Sequence, residues 1–211
     1  MAHEEGLKGQ ALGDSAGVKT YYDEWTTSYE DDVLSWGYDA PQHAVELLAS
    51  RLKPEDHPQL LDAGCGTGLV GQALKAKGFH DVVGIDLSPD SLDLAAKTQS
   101  YRALAEADFG DLPLNLSDGS FGGLLSVGVL SYVANLEEVL REFCRVVHPK
   151  GTIVVTERSD LFDERQTGEI FKALEADETW KIITVTEPMP YLPGHAEFVG
   201  VEVRYGVFEP N

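Results

Sequence analysis

Gln59-Leu60-Leu61-Asp62-Ala63-Gly64-Cys65-Gly66-Thr67-Gly68, followed by Asp81-Val82-Val83-Gly84-Ile85-Asp86, is the stretch from which the rest of the chain is read. A short apolar run ends in an acid, three glycines alternate with small residues, and a helix-forming segment begins at Leu69. Glycine is needed where the backbone takes positive φ or lies directly against a ligand, because a Cβ would collide there. Between a strand and a helix N-terminus, such a loop offers unpaired backbone N–H groups to whatever binds. An acid at the tip of the next strand, Asp86, is placed to accept hydrogen bonds from both hydroxyls of a ribose. Together these features read as a nucleoside-binding α/β fold.

Two glycine patterns overlap here. Gly66-Thr67-Gly68-Leu69-Val70-Gly71 satisfies G-x-G-x-x-G, the dinucleotide fingerprint of a nicotinamide-dependent oxidoreductase. That fingerprint opens where its strand ends, so that the pyrophosphate meets the helix N-terminus. The apolar run stops at Leu61, which puts this pattern too late, inside the helix. Gly64-Cys65-Gly66-Thr67-Gly68, with Asp62 two residues upstream, lies in register with the strand end.

On Asp62, the three alternating glycines and Asp86, the chain resembles motif I of the class I, seven-strand S-adenosylmethionine-dependent methyltransferases. The resemblance implies a Rossmann-like doubly wound sheet, mostly parallel and closed by a C-terminal antiparallel hairpin. It implies that Asp62, Gly64, Cys65, Gly66, Thr67 and Gly68 wrap the methionine part of S-adenosylmethionine. Asp86, with Leu87 beside it, would then hold the ribose. Asp108 and Phe109 match the pair that meets the adenine, although by themselves they also describe an ordinary acid and core Phe after a strand. Ser126 and Val127, late in the fourth strand, complete the implied set. One departure is Gly122, which stands where the family commonly carries an acid.

Around this centre the elements follow one another. Tyr22, Trp25 and Tyr29 form a stripe at i, i+3, i+7, which alone predicts a helix packing its aromatic face on the core. It resembles the Y-D-x-W-x-x-x-Y-D element of small-molecule members of the family, which implies a lid over residues 18–36 with Trp25 and Tyr29 on the cofactor. Helices are predicted from Pro41 to Leu52 and from Leu69 to Lys77, the second stopped by Gly78. Ser88 and Pro89 start another, with Leu92, Ala95 and Ala96 facing inward. Phe121 to Val129 reads as a strand, and Asn135 with Glu138 as a capping box for a helix burying Leu136, Val139, Leu140, Phe143 and Val147. The turn His148–Gly151 leads into a strand from Thr152 to Glu157, and Asp163 to Asp177 into a helix. Trp180–Glu187 and Glu197–Phe208, joined by prolines and Gly194, read as the terminal hairpin.

With 211 residues, 43% apolar and 25% charged, the composition is that of one globular domain, expected over 18–211 behind a disordered tail at 1–17. Sixteen basic against 36 acidic side chains leave a net charge of −20 and no basic run, which disfavours a nucleic-acid substrate. Cys65 and Cys144 lack disulfide-framework or metal-ligand spacing and read as small buried residues in a reducing compartment. No stretch is apolar enough for a membrane span or a leader, so a cytoplasmic, soluble monomer is expected.

The resemblance implies methyl transfer to a small molecule or a protein side chain, with a cofactor-binding module lacking chemistry as the alternative. A general base is needed only where the acceptor must lose a proton. Tyr132, Glu157 and His195 are the candidates, His195 reading first as a solvent-exposed loop residue. No cluster of acids for a metal is legible at the strand tips, and no catalytic residue is assigned.

Overall fold

A computed structural model describes residue 33 and residues 35–56 and 58–211. The expected tail, and most of the expected lid with Trp25 and Tyr29, lie outside the described residues. Leu60–Ala63 (β1), apolar at every position but Asp62, is a strand buried along its whole length, as at the centre of a parallel sheet. Val82–Asp86 (β2), Ala103–Glu106 (β3), Phe121–Ser126 (β4) and Val147–Arg158 (β5) continue the parallel part. Trp180–Val185 (β6), Met189–Pro190 (β7) and Glu202–Pro210 (β8) follow. The order is β3-β2-β1-β4-β5-β8-β6, with β8 antiparallel to β5, β6 and β7. The order therefore reverses between β1 and β4, and ligands of such sheets bind at the carboxyl ends of the strands beside that reversal.

Each face of the sheet has its own core, separated by the period of two along each strand. Leu60, Val82, Leu125 and Val154 point to one face, covered by Ala40–Ala49 (α1) and Leu69–Ala76 (α2). Leu61, Ala63, Ile85, Leu124 and Ile153 point to the other, covered by Leu136–Val146 (α4) and Thr167–Ala176 (α6). Asp62 alternates onto the first face and is fully buried there. Pro89–Lys97 (α3) packs beside β2 and β3, with Ser88 Oγ accepting from the Ser91 N–H at 3.1 Å as its cap.

Several boundaries differ from the sequence expectation, each for a physical reason. The expected helix from Asp163 to Asp177 is two, Ser159–Glu164 (α5) and α6, broken at Gln166 in the left-handed region with φ of 54°. There Arg165 turns inward to donate to the carbonyls of Leu130 and Val133 and to Glu157. Asn135 occupies the N-cap position of α4 without capping it, its amide donating instead to the Phe109 carbonyl and to Glu138. Val147 is buried as expected but already belongs to β5. Ala96 is exposed, Ala95 alone of that helix's alanines being buried. Strand β4 ends at Ser126, short of Val129, and β8 begins only after a 3₁₀ turn at Ala196–Phe198.

The closing hairpin is held by one aromatic stack. Trp180 lies on Phe208 at 3.8 Å between ring centres, nearly parallel, and its Nε1 donates to the Phe171 carbonyl at 3.1 Å. Trp180→Ala leaves a cavity there and should lower unfolding free energy by about 3–5 kcal/mol in urea titration. A loss under about 1 kcal/mol would show that the hairpin does not depend on this stack.

Candidate functional site

The loop between β1 and α2 is tied down on both sides. Gly64 and Cys65 donate their N–H groups to the Ile85 carbonyl at 2.8 and 2.9 Å. Gly64, Gly66 and Gly68 all take positive φ, at 83°, 50° and 105°. A Cβ on Gly64 would meet Val129 at 2.3 Å, whereas one on Gly66 would meet nothing within 4 Å. The open side of the loop is therefore at Gly66. The Gly66 N–H donates to Asp86 Oδ2 at 2.8 Å, and the Ser88 N–H to Asp86 Oδ1 at 2.9 Å. The loop and the acid read separately from the sequence are thus one hydrogen-bonded unit.

Asp62, at the end of β1, is fully buried beneath this loop. Its Oδ2 accepts from the Tyr101 hydroxyl at 2.6 Å, and its Oδ1 is buried with no hydrogen-bond partner. Burial pushes the Asp62 carboxyl up to about 7, the Tyr101 hydrogen bond pulls it back, and the Asp86 charge adds to the rise. Thr67 is buried as well, and its Oγ1 is likewise unpartnered. Burial and the charges of Asp62 and Asp86 hold the Cys65 thiol well above its ordinary range, so it is inert as a nucleophile.

Tyr101 is the residue sequence reasoning missed. Its signal was the pair of glycines that the motif did not need. A Cβ on Gly71 would lie 2.3 Å from the Tyr101 ring, and one on Gly84 2.9 Å from it. Gly71 lies inside α2, as the register argument required, and completes the G-x-G-x-x-G pattern only because the phenol passes beneath it.

The remaining expected residues are placed as follows. Leu87 is half-buried just past β2, between Asp86 and the Ser88 cap. Asp108 follows β3 and accepts from the Gly110 N–H at 2.7 Å. Phe109 is half-buried and meets Phe143 edge-on at 5.6 Å, so part of its ring belongs to the α4 core. Ser126 is fully buried, its hydroxyl donating to the Ala63 carbonyl at 2.9 Å, which joins β4 to β1 at the strand ends. Val127 beside it is buried in the α1 face.

Of the candidate bases, Glu157 is removed. It is buried in an ion pair with Arg165 at 2.9 Å on the α6 face, and burial holds its carboxyl above the ordinary range. His195 is not the exposed loop residue expected but is buried, edge-on to Trp36 at 4.3 Å and to Phe198 at 5.2 Å. Tyr132 is half-buried in the 3₁₀ turn Leu130–Tyr132 after β4. Cys144 is only half-buried on α4, where burial still raises its thiol to about 12. Among the described residues no helix is long and apolar enough to cross a membrane.

Two unpartnered buried polar atoms, an open glycine and a pre-oriented carboxylate fit a polar nucleoside bearing an amino-acid tail. Comparison with known proteins agrees. A methyltransferase-domain family model matches residues 61–155. Methyltransferase-like protein 27 of Homo sapiens is 34% identical over 171 residues, covering 76% of this chain and 69% of that protein. The 18S rRNA (guanine-N(7))-methyltransferase of Mus musculus is 38% identical over 95 residues, covering 44% of this chain but 32% of its own length. Among solved structures, the [4+2]-cyclase SpnF has a TM-score of 0.71 at 18% identity over 95% of this chain and 97% of that one. Geranyl diphosphate C-methyltransferase from Streptomyces coelicolor A3(2), solved with S-adenosyl-L-homocysteine, has a TM-score of 0.60 at 16% identity over 79% and 78%. At such identities the two structures share the fold alone. The strand order, the matched domain and the extent of likeness to the human protein lead to one family: the chain belongs to the class I S-adenosylmethionine-dependent methyltransferases.

Proposed function

We propose that this chain moves the methyl group of S-adenosylmethionine to a small molecule or a protein side chain, acting as a monomer. The observation that carries the cofactor side is Asp86, whose two oxygens are each aimed by a backbone N–H beside the open face at Gly66. Held in this way, the two oxygens would accept from the ribose hydroxyls. Gly64–Gly68 and Asp62 would hold the methionine part, Leu87 would lie against the ribose, and Asp108 and Phe109 would meet the adenine. Ser126, already spent on Ala63, would act through its backbone, with Val127 beside it.

Bound there, the cofactor supplies a sulfonium methyl that needs no further activation. The chain's task is to hold the acceptor in line and keep water out, and well-aligned reactions gain about 7–11 kcal/mol from such positioning. With Glu157 tied to Arg165, Tyr132 and His195 are the candidates left for taking a proton from the acceptor. Two of the proteins named above are methyltransferases of 18S rRNA and of geranyl diphosphate. A net charge of −20 without a basic run supports a small-molecule or protein acceptor here rather than a polyphosphate chain.

Calorimetry should show binding of S-adenosylhomocysteine and none of NAD, and Asp86→Ala should cost about 1.5–3 kcal/mol of that affinity. Unchanged affinity in the variant would take the ribose away from Asp86. Incubation with methyl-labelled S-adenosylmethionine and a cell extract separated into metabolites, protein and RNA should put label in the first or second fraction. Label confined to RNA would contradict the acceptor assignment. Cofactor binding without label in any fraction would replace it with a non-catalytic binding module.

A further inference from the structure

Arg204, near the start of β8, stands apart from the other arginines. Arg51, Arg102, Arg141, Arg145, Arg158 and Arg165 each hold a carboxylate in an ion pair. Arg204 holds none among the described residues, in a chain whose 36 acidic side chains outnumber its 16 basic ones. An acid stands directly across the sheet from it. Glu157 of β5 is its register partner, and side chains paired in this way share a face at about 5 Å between Cβ atoms. That carboxylate is taken by Arg165 instead, at 2.9 Å.

What Arg204 does touch leaves most of its chemistry unused. Its guanidinium lies over the Phe162 ring, with Cζ 5.2 Å from the ring centre. Nη1 donates to the Thr186 carbonyl at 3.4 Å, longer than an ordinary hydrogen bond. Nε is buried with no acceptor. An aromatic ring meets the face of a guanidinium, whereas the N–H groups point outward in its plane and need acceptors of their own. Ser159, which opens α5 ahead of Phe162, has a buried hydroxyl in the same condition. Yet Ser159, Phe162, Thr186 and Arg204 are all only half-buried, so the group borders solvent rather than the closed core.

Its place in the fold relates it to the methyl group. In the sheet β4, β5 and β8 are successive neighbours, and α5 leaves the carboxyl end of β5. Two strand spacings put β8 roughly 10 Å from the β4 tip, within the span of a small metabolite. We propose that Arg204 anchors the methyl acceptor, a small molecule with one carboxylate that lies in the plane of the guanidinium, with the Ser159 hydroxyl as a further donor. This rests on the methyl-transfer reading and names the acceptor class within it. One fork without a second cation matches one negative charge, whereas a phosphate monoester would bring about −1.5 to −2 to a place facing Glu157. The net charge of −20 opposes anions only at range, since exposed charges are screened beyond about 8 Å at physiological salt. An uncompensated guanidinium acts at contact.

The test begins with a cell extract of small metabolites passed over an anion-exchange resin at neutral pH. Each fraction is incubated with the protein and methyl-labelled S-adenosylmethionine. Label should be accepted by compounds the resin retains, and the activity should survive phosphatase treatment of that fraction. Arg204→Met keeps a straight stem over Phe162 without the charge. It should lower labelling about tenfold or more, with S-adenosylhomocysteine affinity within about twofold of wild type. Arg204→Lys, which restores the charge without the fork, should recover part of the labelling, and it carries the test if the methionine variant fails to bind S-adenosylhomocysteine. Acceptor activity in the unretained fraction, activity destroyed by phosphatase, or label confined to protein would overturn the proposal and leave the methyl-transfer reading standing. Labelling of the retained fraction that is equal in wild type and both variants would overturn it as well. Label in no fraction, with S-adenosylhomocysteine bound, would bring down the methyl-transfer reading and the proposal with it.

Discussion

The hydrogen bond from Tyr101 to Asp62 ties together three parts of the candidate site. It joins the end of β1, the first turn of α2 and the chain entering β3 across 2.6 Å in the core. Around it the glycines are allotted to different neighbours. Gly64 yields to Val129, Gly71 to the Tyr101 ring, and Gly84 to Leu104, Cys65 and that ring together, whereas Gly66 faces open space. The loop is therefore packed against protein at Gly64 and bare at Gly66. Such preorganisation is what spares a bound cofactor the cost of ordering its site.

Charge is distributed in keeping with this. The carboxylate of Asp86 is oriented by backbone donors at the carboxyl end of β2, while that of Asp62 is buried and incompletely partnered. The buried Glu157–Arg165 pair does a different job. It clamps the turn after β4 to the α5–α6 break.

Much of this was legible in the chain. The strand Val82–Asp86, the Ser88 cap, the stop at Gly78 and the terminal antiparallel pair follow from local rules of periodicity, capping and turn chemistry. What was not legible depends on distant partners. The break at Gln166 is caused by Arg165 reaching carbonyls more than thirty residues away, and the burial of His195 by Trp36 and Phe198. Asn135 carries a capping residue's sequence signature, yet its amide is drawn to Phe109. Gly71 and Gly84 were visible as glycines, but only packing shows that they serve a tyrosine seventeen or more residues on.

In the proposed placement one nucleoside ligand lies across the tips of β1, β2, β3 and β4, and an amide-resolved NMR titration of the ¹⁵N-labelled chain with S-adenosylhomocysteine tests it. The largest shifts are expected at Gly64–Gly68, Asp86–Ser88 and Asp108–Gly110, with near silence in the Trp180–Phe208 hairpin core. Shifts concentrated in that hairpin, with the glycine loop unmoved, would contradict it.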